Sequence, residues 1–348
     1  MPHIDESTHL LSFYAGQQVY HGEMHDHSAS GGTSDGKCTL DTWIEEMKRL
    51  HMDFAAILDH RQVRHMYLPQ WQDGLFIPGT EPGTYITDSV ATRQDMHYLM
   101  LFPHRDLVSQ LLGQFPEFEF TGGTEGHFVY PTFTRERFGQ LIDAVMDLGG
   151  FFVHPHPRQY LQSDDPCQYH FRDGTGIEVF YWAMESVYTY DNYKLWTDLL
   201  KLGKRVFACA GGDQHEMPHD LCLTTLYAKE RTSAAFVEKL RAGDFTCGSV
   251  SIRMCMGDTV SGGVCAFRDG DELTLCVGDF HPSVQNPAHR YRLLVMDEKN
   301  VVHQQFIPCD QNTFVTLPVR KDARFYRAEV FDTVRHMRIA IGNPIWNV

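Results

Sequence analysis

A chain of 348 residues has room for one large domain, or for a catalytic domain with a smaller companion, and 43% hydrophobic with 12% aromatic residues is enough for a sizeable core, which excludes a disordered chain. The 45 Asp+Glu against 30 Lys+Arg give a formal net charge of −15, a surface that repels phosphate backbones and argues against nucleic-acid partners. No apolar run reaches the roughly 20 residues of a membrane-spanning helix, the first residues lack the basic start and apolar centre of a signal peptide, and the nine cysteines are scattered without a Cys-x-x-Cys pair, so a cytoplasmic protein with reduced thiols is expected.

In chain order, a short strand-like segment leads to His25-Asp26-His27. From Thr39, a candidate N-cap, Leu40, Ile44, Met47 and Leu50 recur at helical spacing, and Phe54–Leu58 then reads as a buried strand. Tyr98–Phe102 is a second apolar strand. The stretch from Phe115 to Phe133 has neither period and is long for a plain connection. Its Phe115, Phe118, Phe120, Phe128, Tyr130 and Phe133 are expected to form a lid or a satellite core under a long loop. Phe138, Leu141, Ile142, Val145 and Leu148 restore the helical period until Gly149-Gly150 stops it. Strands over Phe151–Val153, Ile177–Trp182 and Val206–Ala210 follow, interleaved with helices marked by Trp196, Leu199, Leu200 and Leu202, and by Phe236, Val237 and Leu240.

Helices alternating with continuous apolar strands imply a parallel sheet, covered on both faces or closed into a barrel. From about Ser249 the texture changes. Ile252–Met256, Glu272–Val277, Arg290–Met296, Val301–Ile307, Thr313–Val319 and Phe325–Phe331 are strand-like runs separated by turn residues, with no helical period. The expected division is an α/β domain over residues 1–248 and an antiparallel β-sandwich over 249–348. No strand from beyond Ser249 should enter the first domain's sheet, and no metal ligand should lie in the second domain.

The polar residues sit where the strands end. Asp59-His60 closes Phe54–Leu58, Glu81 follows Phe76-Ile77-Pro78-Gly79, His154 closes Phe151–Val153, and Asp213 and His215 follow Val206–Ala210. In a parallel barrel such strand ends form one mouth, so groups remote in sequence converge there. His25 and His27 share a side because strand side chains alternate. His97 heads its strand instead of ending it. Imidazole and carboxylate are the ligands of Zn²⁺, Mn²⁺ and Fe²⁺, and adjacent ions activate water and neutralise charge on a bond being cleaved. One strand-end histidine is more often a structural hydrogen-bonding group; five such positions filled together are not.

His25-Asp26-His27-Ser28, Ser34-Asp35-Gly36, Leu58-Asp59-His60, Gly79-Thr80-Glu81, His154-Pro155 and Gly212-Asp213-Gln214-His215 resemble, in order and spacing across roughly residues 20–245, the PHP (polymerase and histidinol phosphatase) family. The resemblance implies a distorted seven-stranded (β/α) TIM-like barrel with up to three divalent ions, Zn, Mn or Fe. It implies one metal on His25, His27, Glu81 and Asp213, a second on Glu81, His97 and His154 with Glu81 bridging, and a third on Asp35, His60 and His215. The position before the His-x-His motif, usually Asp in that family, is Glu23 here and is expected to sit no closer than behind the ligands. The C-terminal β region and Gly342-Asn343-Pro344-Ile345 resemble a branch that includes ester and carbamate hydrolases.

The expected function is a hydrolase of a small, anionic phosphate ester that uses a metal-bound hydroxide, with Glu81, Asp213, His215 and Arg158 in catalysis. The alternatives are a carboxylic ester or carbamate hydrolase on the same centre, and a non-catalytic metal- or ligand-binding protein. Arg158, His156 and Arg61 are the candidates for contacting the substrate anion, and His65 is a weaker one. Cys38 lies near the expected mouth but lacks the histidine partner that a nucleophile needs.

Overall fold

In the computed structural model the described residues are 6–88, 96–118, 130–159, 171–216 and 220–348. Phe120, Phe128 and Cys167 lie outside them, as does most of the Phe115–Phe133 stretch, so its lid role falls outside the described residues. No described helix is long and apolar enough to cross a membrane.

The chain is mixed α/β. Helix α1 (Glu6–Ser12) precedes strand β1 (Gln18–Asp26), α2 (Leu40–Arg49) and β2 (Phe54–Ile57). Thr39 starts α2 as read, its hydroxyl accepting the Thr42 N–H at 3.2 Å. The helix buries Leu40, Trp43 and Met47, and the Trp43 indole N–H donates to the His27 carbonyl at 3.0 Å. The helical period thus delivers a brace for the end of β1. Short strands β3 (Gly79–Thr80), β4 (Gly83–Ile86), β5 (Met96–His97) and β6 (Leu99–Leu101) follow, then α3 (Arg105–Gln114) and β7 (Thr132–Phe133). Helix α4 (Arg135–Asp147) is capped by Thr134 and stopped by Gly149 at φ +78°. Strands β8 (Phe151–His154), β9 (Gly176–Tyr181) and β10 (Phe207–Gly211) are separated by α5 (Val187–Lys201) and its neighbouring loops. Strand β11 (Thr224–Ala228), α6 (Ser233–Ala242) and β12 (Phe245–Gly248) complete this half.

These strands form two main sheets. One runs β10-β9-β8-β6-β3, with β8, β9 and β10 parallel. The other contains β2-β1-β11-β12, with β1 and β2 parallel and the remaining pairs antiparallel. Between the sheets lie single bridges, Ala55 with Phe76 and Asp26 with Gln214. Among the described residues the ladders do not close into the seven-stranded barrel that was expected. At these seams the pairing is limited to single bridges, so no continuous ladder joins the two sheets.

Beyond Gly248, antiparallel strands build two layers around their own core, which includes Ile252, Leu275, Leu293, Val295, Val330 and Ile339. One of these strands, Met337–Gly342, pairs with β12, matching Thr246 to Gly342 and Cys247 to Ile341. A strand from beyond Ser249 therefore enters the sheet that holds β1, contrary to expectation, and Phe325, Ile341 and Trp346 join the core of the first half. Asn343 reinforces the joint: its side-chain oxygen accepts the Ala208 N–H at 2.8 Å and its amide donates to the Phe245 carbonyl at 3.3 Å. The eight described cysteines are unpaired, in keeping with the scattered spacing.

Candidate metal centre

Strand β1 carries His25 and His27 to one side, into a pocket where both are fully buried. Glu81, just past β3, meets them there and is also fully buried. Its Oε2 lies 3.1 Å from His25 Nε2, 3.2 Å from His27 Nε2 and 3.2 Å from His60 Nδ1. Its Oε1 lies 3.0 Å from His97 Nδ1 and 3.5 Å from His156 Nε2. One carboxylate thus stands among five imidazoles. Asp213, after β10 and at φ +51°, places Oδ1 3.4 Å from His25 Nε2 and 3.1 Å from His27 Nε2. Farther out, Asp35 Oδ1 lies 3.0 Å from His215 Nε2 and 3.5 Å from His60 Nε2.

The ligand-type atoms fall into four groups, each within 4.8 Å: His25, His27, Glu81 and Asp213; His27, Asp35, His60 and His215; His60, Glu81 and His97; and His25, His156 and Glu178. Eight of the nine expected ligands are brought together in this way. His154 joins none of the groups. It closes β8 as read, but its ring lies against Phe152 (5.0 Å) and Phe171 (4.9 Å). The chain bends after the strand, and His156, at φ +29°, supplies the imidazole that approaches Glu81.

The donors suit a cation. His25 Nε2 and Glu81 Oε2 are buried 3.1 Å apart, and among the described residues neither has a well-oriented hydrogen-bond partner, an arrangement that is costly unless something positive sits between or beside them. Burial alone would raise the Glu81 carboxyl, but the neighbouring His25, His60 and His97 hold it well below the usual carboxylate range. Burial likewise opposes charge on His27, yet hydrogen bonds to Asp213 and Glu81 push it up to about 10. Protons and metal ions compete for such nitrogens. Neutral imidazole with carboxylate oxygen fits Zn²⁺, Mn²⁺ or Fe²⁺.

Other residues hold these side chains in place, and sequence reasoning missed two of them. Glu178, buried in the middle of β9, accepts from His25 Nδ1 at 2.7 Å through Oε1 and from the His156 backbone N–H at 2.8 Å through Oε2. Gly211 makes room for it, since a Cβ there would lie 2.0 Å from Glu178 Oε1. The Tyr181 hydroxyl donates to Asp213 Oδ2 at 2.8 Å, leaving Oδ1 to face the histidines. The available signal was a carboxylate inside the otherwise apolar run Ile177-Glu178-Val179-Phe180. Glu23 stands behind the ligands, accepting backbone N–H groups from Gly212 at 3.0 Å and Cys222 at 2.7 Å.

Asp59 and His65 are structural. Asp59 accepts from the Ser28 backbone and hydroxyl at 2.6 and 2.7 Å, with His65 Nδ1 at 3.3 Å, so it anchors the loop after β1. His65 is thereby turned inward, away from the role of facing substrate. Arg158 lies in the short turn Pro157–Gln159, its backbone N–H directed to Asn192 Oδ1 at 3.4 Å. Cys38 is half-buried, and burial pushes its thiol up, the wrong direction for a nucleophile.

No family model matches the chain, and no curated protein matches it. Among solved structures, the chain is similar to a provisionally assigned metal-dependent phosphoesterase from Bifidobacterium adolescentis, at 16% identity over 57% of this chain and 88% of that one, with a TM-score of 0.35. It is also similar to an amidohydrolase from Chromobacterium violaceum, at 16% identity over 57% of this chain and 89% of that one, with a TM-score of 0.37. A lesion-specific endonuclease from Pyrococcus furiosus matches at 14% identity over 64% of this chain and 56% of that one, with a TM-score of 0.43. Likeness at this level fixes neither family nor activity.

Proposed function

We propose that this chain is a metal-dependent hydrolase of the PHP type and that it cleaves a small anionic phosphate ester. The observation that carries the reading is the convergence of His25, His27, His60, His97, His156 and Asp213 around the buried carboxylate of Glu81 and the buried His25 Nε2. In this reading one ion is held by His25, His27, Glu81 and Asp213. A second is held by Glu81 and His97, with His156 in the place expected for His154. A third is held by Asp35, His60 and His215. When bound, the ions would supply Lewis acidity and activate water.

The protein's own residues do the rest. Glu81 presents one oxygen to each of two neighbouring ligand groups and so fixes their spacing. Tyr181 restrains Asp213 to one oxygen, and Glu178 selects the nitrogen that His25 turns inward. His215, at the half-exposed rim, donates from Nδ1 to the Asp213 carbonyl at 2.9 Å, which turns its Nε2 toward Asp35. Arg158, in the turn just after His156, is the candidate for orienting the anionic group.

Metal analysis after reconstitution, paired with a screen of phosphate monoesters, diesters, carboxylic esters and carbamates, tests the reading. We expect two to three divalent ions per chain and turnover of phosphate esters. Arg158→Ala should weaken that turnover with metal content intact. Less than one equivalent of metal would overturn the centre. Turnover confined to neutral esters would overturn the substrate class and leave the centre standing.

A further inference from the structure

Arg61 is an anomaly of charge. It directly follows His60, and its backbone sits in the left-handed region at φ +52°, its N–H donating to the Glu81 carbonyl at 3.3 Å. A non-glycine residue is held there only when its surroundings demand it. Among the described residues no carboxylate pairs with the guanidinium, although acidic residues outnumber basic ones 45 to 30 in this chain. Its Nε and Nη1 are buried and have no hydrogen-bond partner among the described residues.

The guanidinium carbon lies over the Tyr130 ring, 5.6 Å from its centroid. That ring lies 6.1 Å from the His97 ring and meets Tyr85 edge-on at 5.7 Å. Gly83 keeps the space open, because a Cβ there would come within 2.3 Å of Tyr130 and 3.0 Å of His97. A cation–π contact offsets some of the lost hydration but satisfies no N–H group. A cation left in this state destabilises the fold unless an anion arrives to complete it.

We infer that Arg61 is a specificity-determining residue that receives an oxyanion, a phosphate or carboxylate group of the substrate, beside the His60–Glu81–His97 ligand group. This deepens the hydrolase reading and rests on it for the identity of the neighbouring centre. Arginine suits the task, because its N–H groups stay charged and directed whatever the pH.

The test titrates inorganic phosphate, and separately acetate, into wild type, Arg61→Met and Arg61→Lys by calorimetry. Each protein is studied metal-free and metal-loaded, with metal content measured in parallel. For wild type we expect saturable binding of one of the two anions, the stronger probe naming phosphate or carboxylate as the preferred group. Arg61→Met should weaken it about 10- to 100-fold, the loss of one charge-assisted hydrogen-bonding partner, with metal content unchanged. Arg61→Lys should lie between. In anion-free buffer Arg61→Met should melt no lower than wild type, since an uncompensated buried charge has been removed, and added phosphate should raise the melting temperature of wild type alone. Anion affinity within twofold of wild type in Arg61→Met, no saturable binding of either anion by wild type, or a lowered melting temperature in the variant would each overturn the inference. Failure of the metal reading shows separately as absent metal uptake, and the metal-free titrations still decide the role of Arg61.

Discussion

Glu178→Gln separates a metal centre from a mere cluster of buried polar groups. The glutamate accepts twice, from His25 Nδ1 at 2.7 Å and from the His156 backbone N–H at 2.8 Å, and it is fully buried. Glutamine has nearly the same shape but only one acceptor oxygen. If that oxygen stays on His25, the amide NH₂ opposes the His156 N–H, and a buried donor goes unsatisfied at a cost of about 1–3 kcal/mol. If it turns to His156, the NH₂ faces His25 Nδ1 and forces the tautomer that carries its proton on Nε2, the nitrogen aimed at Glu81 and Asp213. Either way the ligand set is spoiled, and metal affinity should fall about 10- to 100-fold. Competition against a chromophoric chelator measures that fall, and urea unfolding of the metal-free protein measures the stability cost. A native-like fold with reduced stability and unchanged metal affinity would refute the reasoning, because His25 would then not be a ligand oriented by Glu178. Complete loss of one metal equivalent would instead make Glu178 a ligand itself.

Glu81→Ala should reduce bound metal more than His97→Ala does, since it strips a contact from every neighbouring imidazole; equal losses by metal analysis would deny it the bridging place. Gly211→Ala pushes a methyl group into the space of Glu178 and His25, and about 1–3 kcal/mol of overpacking together with lower metal uptake is expected; normal uptake would show that β10 relaxes freely. His21 and His281 face each other at 5.1 Å, and burial, then the His281 charge, lowers His21 to about 3. A folded value below the unfolded one of about 6.5 means that this contribution is complete above that pH and is lost as pH falls toward 3. Between pH 7.5 and 5.5 wild type should therefore lose about 1.4 kcal/mol more stability than His21→Asn, and parallel urea-unfolding curves at the two pH values would refute it.

The cluster of candidate ligands was legible in the sequence because metal chemistry restricts residue type and strand ends restrict position. His25, His27, Asp35, His60, Glu81, His97, Asp213 and His215 all reach the same place in space. His154 closes its strand as read, but it is His156, beyond the bend after that strand, whose Nε2 comes within 3.5 Å of Glu81 Oε1. Glu178 stayed hidden for a different reason: its partners, His25 and His156, lie 153 and 22 residues away, and no local pattern announces such a contact. Thr39, Thr134 and Thr232 cap their helices through local geometry, which sequence reports well. Strands β11 and β12 escaped notice because they carry Thr, Gly and Cys among their apolar residues. Their identity depends on the neighbours they meet, and one of those neighbours comes from the last third of the chain.

The ladder between Cys247 and Ile341 sets a timetable for folding. About ninety residues separate these partners, so the sheet that carries His25 and His27 keeps an open edge at β12 until the strand Met337–Gly342 has been synthesised. Asn343 arrives at the same moment and closes the last hydrogen bonds on Ala208 and Phe245. A nascent chain that stops short of this point exposes an unpaired strand edge, a site for association with other chains. The ligand cluster is written almost entirely in the first two thirds of the sequence, yet the sheet beneath it is finished only by the final tenth.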